Sequence, residues 1–144
     1  MRTIHHVIDI DTEPATLWSA ITERDRLAAW WSTGVETGPA AVGELVHWTF
    51  SGDFHPTMKI TALERLSSLE WQCVSGHDNW SDNTFRFQLL PLEHSRTRLR
   101  FWQHYATELG DDDYGIYNFN WGYYLESLRL LCATGSGNPF RPGE

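Results

Sequence analysis

Residues 84–89, Thr84-Phe85-Arg86-Phe87-Gln88-Leu89, carry a large apolar side chain at every second position and a polar or cationic one between. Side chains of a strand alternate between its two faces, so this hexamer reads as a strand with one dry face and one wet face. Downstream the pattern repeats: Leu99, Phe101 and Gln103 oppose Arg98, Arg100 and Trp102. Glu93 to Ser95 supplies a turn between the two runs, which predicts an antiparallel pair solvated on one side. Upstream, Leu69, Trp71 and Cys73 oppose Glu70, Gln72 and Val74, while Met58, Ile60 and Ala62 oppose Lys59, Thr61 and Leu63. Val46, Trp48 and Phe50 oppose Leu45, His47 and Thr49. Gly52-Asp53, Ser67-Ser68 and Gly76 to Asn83 are the intervening turns, so the stretch from Gly43 to His104 is an antiparallel meander.

The flanks read differently. Thr3 to Ile10 is a first strand, with Ile4, His6, Ile8 and Ile10 on one side and His5, Val7 and Asp9 on the other. Asp11 and Thr12 offer cap oxygens before Pro14, and Leu17, Trp18 and Ile21 follow at helical spacing. Thr22 to Asp25 has the form of a capping box opening a second short helix, with Leu27, Trp30 and Trp31 on one flank and Gly34 as its stop. At the other end the pattern predicts a long helix over Tyr117–Thr134, because Trp121, Leu125, Leu128 and Cys132 form one stripe and Gly135 ends it. The acidic run Asp111-Asp112-Asp113 is placed just before that helix. The expected fold class is α+β: a curved antiparallel sheet of about seven strands, two short helices after strand one, and one long C-terminal helix covering the concave face.

The chain has 144 residues, of which 41% are hydrophobic and 14% aromatic, enough for one ordinary core over residues 1–144. Eleven basic against nineteen acidic residues leave a formal net charge of -8. That balance argues against nucleic acid and against an anionic membrane surface, both of which need a basic face. No apolar run reaches the ~20 residues that span a bilayer, and the N-terminal residues do not form a signal peptide. Cys73 and Cys132 read as free thiols of a reducing, cytoplasmic setting.

Several pieces together resemble a known superfamily. They are Pro14 … Leu17-Trp18 … Ile21, the Trp30-Trp31 pair, Trp71-Gln72-Cys73 with Gly76 and Trp80, the run Thr84–Leu89, and Thr97-Arg98-Leu99. The terminal Asn118-Phe119-Asn120-Trp121-Gly122 … Tyr124-Leu125 … Leu128 … Gly135 … Pro139-Phe140 completes the set. In this order they resemble the START-like (SRPBCC, helix-grip) superfamily, in the branch named for homologues of the activator of the heat-shock chaperone's ATPase. The resemblance implies a single START-like domain with the sheet wrapped around its last helix. That fold hosts lipid carriers, hormone receptors, polyketide cyclases and co-chaperone domains, so it does not fix a function. Many relatives carry a histidine on the last strand where this chain has Gln103 or, with a one-residue shift, His104.

Catalytic and metal-binding patterns are weak. His5 and His6 are strand neighbours on opposite faces, Cys73 and His77 form a lone sulfur–nitrogen pair, and no Gly-x-Ser-x-Gly elbow or phosphate loop occurs. Asp9 could pair with a histidine on its face, and Glu70 could pair across strands with Arg86 or Arg100. No cofactor or metal is implied. The rings carry the signal: Trp48, Phe50, Trp71, Phe85, Phe87, Phe101 and Trp121 fall on the inner side, with Gln103, Asn120 and Tyr124 as polar members and Trp80 at the mouth. The expected function is binding of a small apolar or amphipathic molecule in an aromatic-lined cavity between sheet and helix, through Trp48, Phe50, Trp71, Phe85, Phe87, Phe101, Gln103, Trp121 and Tyr124. The alternatives are a polyketide cyclase/aromatase-like enzyme using Asp9, His104 or Tyr124, and a chaperone-interaction module using Arg86, Arg98 or the Asp111 cluster. A homodimer through exposed rings is compatible with either.

Overall fold

The computed structural model describes residues 2–143. The strands are β1 (Thr3–Ile10), β2 (Gly34–Glu36), β3 (Leu45–Thr49), β4 (Thr57–Glu64), β5 (Ser68–Ser75), β6 (Thr84–Leu92) and β7 (Arg96–His104). The α-helices are α1 (Pro14–Thr22), α2 (Arg24–Leu27) and α3 (Asp111–Thr134), and a 3-10 turn covers Asp78–Trp80. The strands form one curled antiparallel sheet in the order β1-β7-β6-β5-β4-β3-β2. Consecutive hairpins build β2 through β7, and β7 then pairs with β1, so α1 and α2 carry the chain from one sheet edge to the other. This is the α+β class with the long terminal helix that the sequence predicts.

Alternation holds across most of the sheet. Val46, Trp48, Leu69, Trp71, Cys73, Phe85, Phe87, Leu89, Leu99, Phe101 and Gln103 are all buried beneath the helices. It breaks once, in β4, where the register with β5 shifts between Ile60 and Ala62. The irregularity at Thr61 turns Ala62 out to solvent and Leu63 toward the core, reversing the expected faces of these two residues.

Four other local expectations are corrected. Helix α3 begins at Asp111, six residues before Tyr117, so the three aspartates form its first turn. Negative charge there is favourable to the helix dipole, whereas the apolar stripe starts only where α3 reaches the core at Trp121. Helix α1 is capped by Glu13, without a side-chain hydrogen bond, rather than by Asp11 or Thr12. The Thr22–Asp25 capping box does not form: Thr22 still belongs to α1, its hydroxyl donates back to Trp18 O at 2.7 Å, and Glu23 caps α2. Gly34 is not a helix stop but the first residue of β2, opposite Thr49. A Cβ at Gly34 would lie 2.9 Å from Thr49 Cβ, so this short edge strand needs glycine for its close approach.

Candidate functional site

Trp31, in the turn after α2, is the hub of the ring system. Its ring lies 4.3 Å from Trp48, 5.0 Å from Trp121, 5.2 Å from Phe50 and 6.0 Å from Trp71, measured between centroids. It therefore ties the α2 turn to β3, β5 and α3. Behind it Trp71 meets Phe87 edge-on at 4.9 Å, Phe87 meets Phe101 at 5.2 Å, and Phe101 meets Trp121 at 4.3 Å. Trp48, Trp71, Phe85, Phe87 and Phe101 are interlocked in this way and buried. Space remains at the rim instead.

A recess of ≈ 300 Å³ opens beside α3, lined by Trp31, Phe50, Ser51, Phe54, Trp80, Tyr117, Asn120, Trp121, Tyr124 and Phe140. That volume is about twice the ~150 Å³ cavity that accepts benzene and at the small end of ligand sites. Of the residues predicted from sequence, it brings together Phe50, Trp121 and Tyr124, with Asn120 and Trp80 beside them. Trp48, Trp71, Phe85, Phe87, Phe101 and Gln103 sit behind the lining. Sequence reasoning did not assign Trp31, Phe54, Tyr117 or Phe140 to the site.

None of the four lies on an alternating strand or on the core stripe of α3. Phe54 lies in the β3–β4 loop and meets Trp80 edge-on at 4.8 Å. Phe140 lies in the tail, where its N–H donates to Trp31 O at 2.8 Å and its carbonyl accepts from Thr33 N at 2.9 Å. Tyr117 lies on the turns of α3 that precede the core stripe, and its hydroxyl accepts from Asn79 Nδ2 at 3.2 Å. A surplus of rings outside the alternating segments was the available signal.

The lining holds no charged side chain. Burial pushes the Tyr117 and Tyr124 phenols above their ordinary value, so both stay protonated through neutral pH and can donate a hydrogen bond. The titratable groups weighed as catalysts lie elsewhere. Asp9 points outward and accepts from Arg98 Nε at 2.8 Å and Nη2 at 3.1 Å, which holds its carboxyl below the usual range. His104 is exposed, with Nδ1 3.0 Å from Thr3 Oγ1. Glu70 accepts from Thr61 Oγ1 at 2.8 Å and makes no ion pair with Arg86 or Arg100 among the described residues. Arg86 instead lies over Trp102, 5.7 Å from its ring. Burial raises the Cys73 and Cys132 thiols to about 11, which keeps both un-ionised. No cluster of three or more His, Cys, Asp or Glu converges among the described residues.

Gln103, inward as the alternation requires, is fully buried, and its Oε1 accepts from Trp121 Nε1 at 2.7 Å. Its Nε2, like Trp48 Nε1, is buried without a hydrogen-bond partner, whereas the buried Tyr105 hydroxyl has the Trp80 side chain as its polar neighbour. Each unpartnered group costs about 1–3 kcal/mol.

The curled sheet, the long α3 and the ring-lined recess define a protein of the START-like (SRPBCC) superfamily. Within it the chain belongs to the Activator of Hsp90 ATPase homolog 1-like protein family, which it matches over residues 11–133. It is similar to the Aha1 dimer from Colwellia psychrerythraea, solved in solution, at 29% identity and a TM-score of 0.83, covering 95% of this chain and 100% of that one. Two less similar structures share the fold alone. CalU16 from Micromonospora echinospora is 17% identical with a TM-score of 0.73, covering 95% of this chain and 77% of its own. DynU16, a protein of the dynemicin biosynthetic locus, is 16% identical with a TM-score of 0.76, covering 94% of this chain and 48% of its own. No curated protein matches the chain.

Proposed function

We propose that the chain, as one START-like domain, binds a small apolar or amphipathic molecule non-covalently in the rim recess. The observation that carries this reading is a lining of rings with only Ser51 and Asn120 as other members. Phe50, Trp121 and Tyr124 would touch the ligand, while Trp48, Trp71, Phe85, Phe87 and Phe101 would form the rigid floor behind them and Gln103 would hold Trp121 in place through its indole N–H. The free thiols are consistent with a reducing, cytoplasmic setting. Among the described residues no helix is long and apolar enough to cross a membrane. A cyclase-like reaction would have only the protonated Tyr117 and Tyr124 phenols as titratable groups in this lining, which favours binding over turnover.

Native mass spectrometry of freshly purified protein tests the reading by looking for a co-purifying small molecule. Titration with lipid and aromatic probes should quench tryptophan emission saturably. No saturable quenching by any probe would overturn the proposal. Tyr124→Ala should weaken probe binding about tenfold while the protein stays folded. Trp71→Ala should instead lose about 3–5 kcal/mol of stability, because it empties the packed floor.

A homodimer is a second proposal, supported by the similarity to a dimeric structure and by apolar side chains on the outer face of α3. Ile116, Phe119 and Tyr123 are 57%, 74% and 52% exposed. Sedimentation equilibrium should give twice the monomer mass, reduced to one by Phe119→Asp; a monomer at all concentrations would refute it.

A further inference from the structure

Between about pH 5 and 7.5 nothing in the lining of the recess changes charge, since Tyr117 and Tyr124 are its titratable members and both stay protonated. Acid can therefore reach the site only through a neighbour. His77 is placed to be that neighbour. Its ring meets Phe54, one wall of the recess, edge-on at 4.9 Å, and it heads the short turn that carries Trp80, a second wall. His77 Nδ1 accepts from the Asn79 N–H at 3.2 Å and so caps that turn. Asn79 donates in turn through Nδ2 to the Tyr117 hydroxyl at 3.2 Å, which fastens the turn to a third wall on α3. The three rings meet there, with Tyr117 5.6 Å from Trp80 and 6.4 Å from Phe54.

The lone pair on Nδ1 is what an imidazole gives up in acid, and histidine changes charge between about pH 5 and 8. Both ring nitrogens of the cation are donors, so two N–H groups would then face each other across 3.2 Å. The rest of the turn has other anchors. Buried Asn83 donates through Nδ2 to Asn79 O and accepts at Oδ1 from Ala106 N, and Asp82 N donates to Cys73 O. Acid would thus disturb the His77–Asn79 end beside the recess without dismantling the sheet. The charged and titratable groups on the elements packed around the ring are Asp53 and His55 on the Phe54 loop, Asp78 and Asp82 beside its own turn, and Tyr117 with Asp113 on α3.

We propose that His77 is an acid-sensitive latch on the recess: once protonated it releases the Asn79 amide, parts Phe54 and Trp80 from Tyr117, and lowers the affinity for the guest. The proposal rests on the ligand-binding reading above and adds its regulation. A wall that must be re-ordered on binding costs affinity that a pre-set wall does not.

Fluorescence titration with N-phenyl-1-naphthylamine, a probe uncharged at both pH 7.5 and pH 5, tests the latch. The native protein should bind it about tenfold more weakly at pH 5. His77→Asn puts a side-chain carbonyl in place of the ring nitrogen, so the turn stays capped by a group that does not titrate. That variant should match the native affinity at pH 7.5 and keep it at pH 5, whereas His55→Gln should retain the native drop. Equal native affinities at the two pH values overturn the latch and leave the site standing. So does a drop of the same size in His77→Asn, as general loosening in acid would give, or loss of the drop in His55→Gln. Absence of binding at both pH values overturns the site and this inference with it. Should His77→Asn fail to melt cooperatively, the native protein decides by NMR. The Asn79 amide proton should shift along the same titration curve as the His77 ring, and an amide that stays in place refutes the latch.

Discussion

Ser127 shows how much single polar atoms hold together here. Buried on α3, its hydroxyl donates to Trp30 O at 2.8 Å and accepts from Asn138 N at 2.6 Å, joining the long helix to the α2 turn and to the tail. Ser127→Ala removes both bonds and leaves a carbonyl and an N–H to be satisfied, so urea denaturation should show a loss of about 1–3 kcal/mol. His6 is the other informative side chain. On β1 and facing α3, it sits half-buried with Nε2 3.0 Å from Asn118 Oδ1 and its ring beside Gly122. Desolvation holds its pKa below the ordinary 6.5, outweighing the Asn118 bond, with His5 adding a smaller push in the same direction. Below pH 6.5 the unfolded chain therefore binds more protons at this site than the folded one, and stability falls as pH falls. His6→Gln should reduce the drop in urea midpoint between pH 7.5 and pH 5; an unchanged drop would assign it to other groups.

Elements were legible where a period was long enough to read. The alternation in β5, β6 and β7 placed Trp71, Phe85, Phe87, Phe101 and even Gln103 on the inner face, where they are found buried. Where a period was short or interrupted, the reading failed for identifiable reasons. Three residues of β2 cannot display an alternation, Thr61 shifts the phase of β4, and the first turns of α3 bear mostly exposed residues. The site was less legible than the fold, because four of its rings stand on loops, a tail and a helix end, whose positions are set by contacts distant in sequence. Gly76 is one such contact. It holds φ +106, and a Cβ there would lie 1.9 Å from His55 O, so only glycine lets the Phe54 loop close against the Trp80 loop. Gly76→Ala should cost on the order of 1–3 kcal/mol in denaturant titrations and weaken probe binding by parting the two loops.

For the molecule as a whole, the packed and the open parts are spatially divided. The mutually supporting rings around Trp31 make a dense interior, and the recess occupies the margin where α3, two loops and the tail meet. Margins of this kind open at lower free energy than sheet interiors, so ligand entry need not disturb the core. The consequence falls on Phe140, which backs onto Trp31 through its N–H and onto Thr33 through its carbonyl while its ring walls the recess. Release of the Phe140 segment from Trp31 and Thr33 and admission of a guest then become one and the same event. Deuterium uptake at the Phe140 amide should slow in proportion to occupancy, whereas the amides of β6 should exchange at the same rate whether the guest is present or absent.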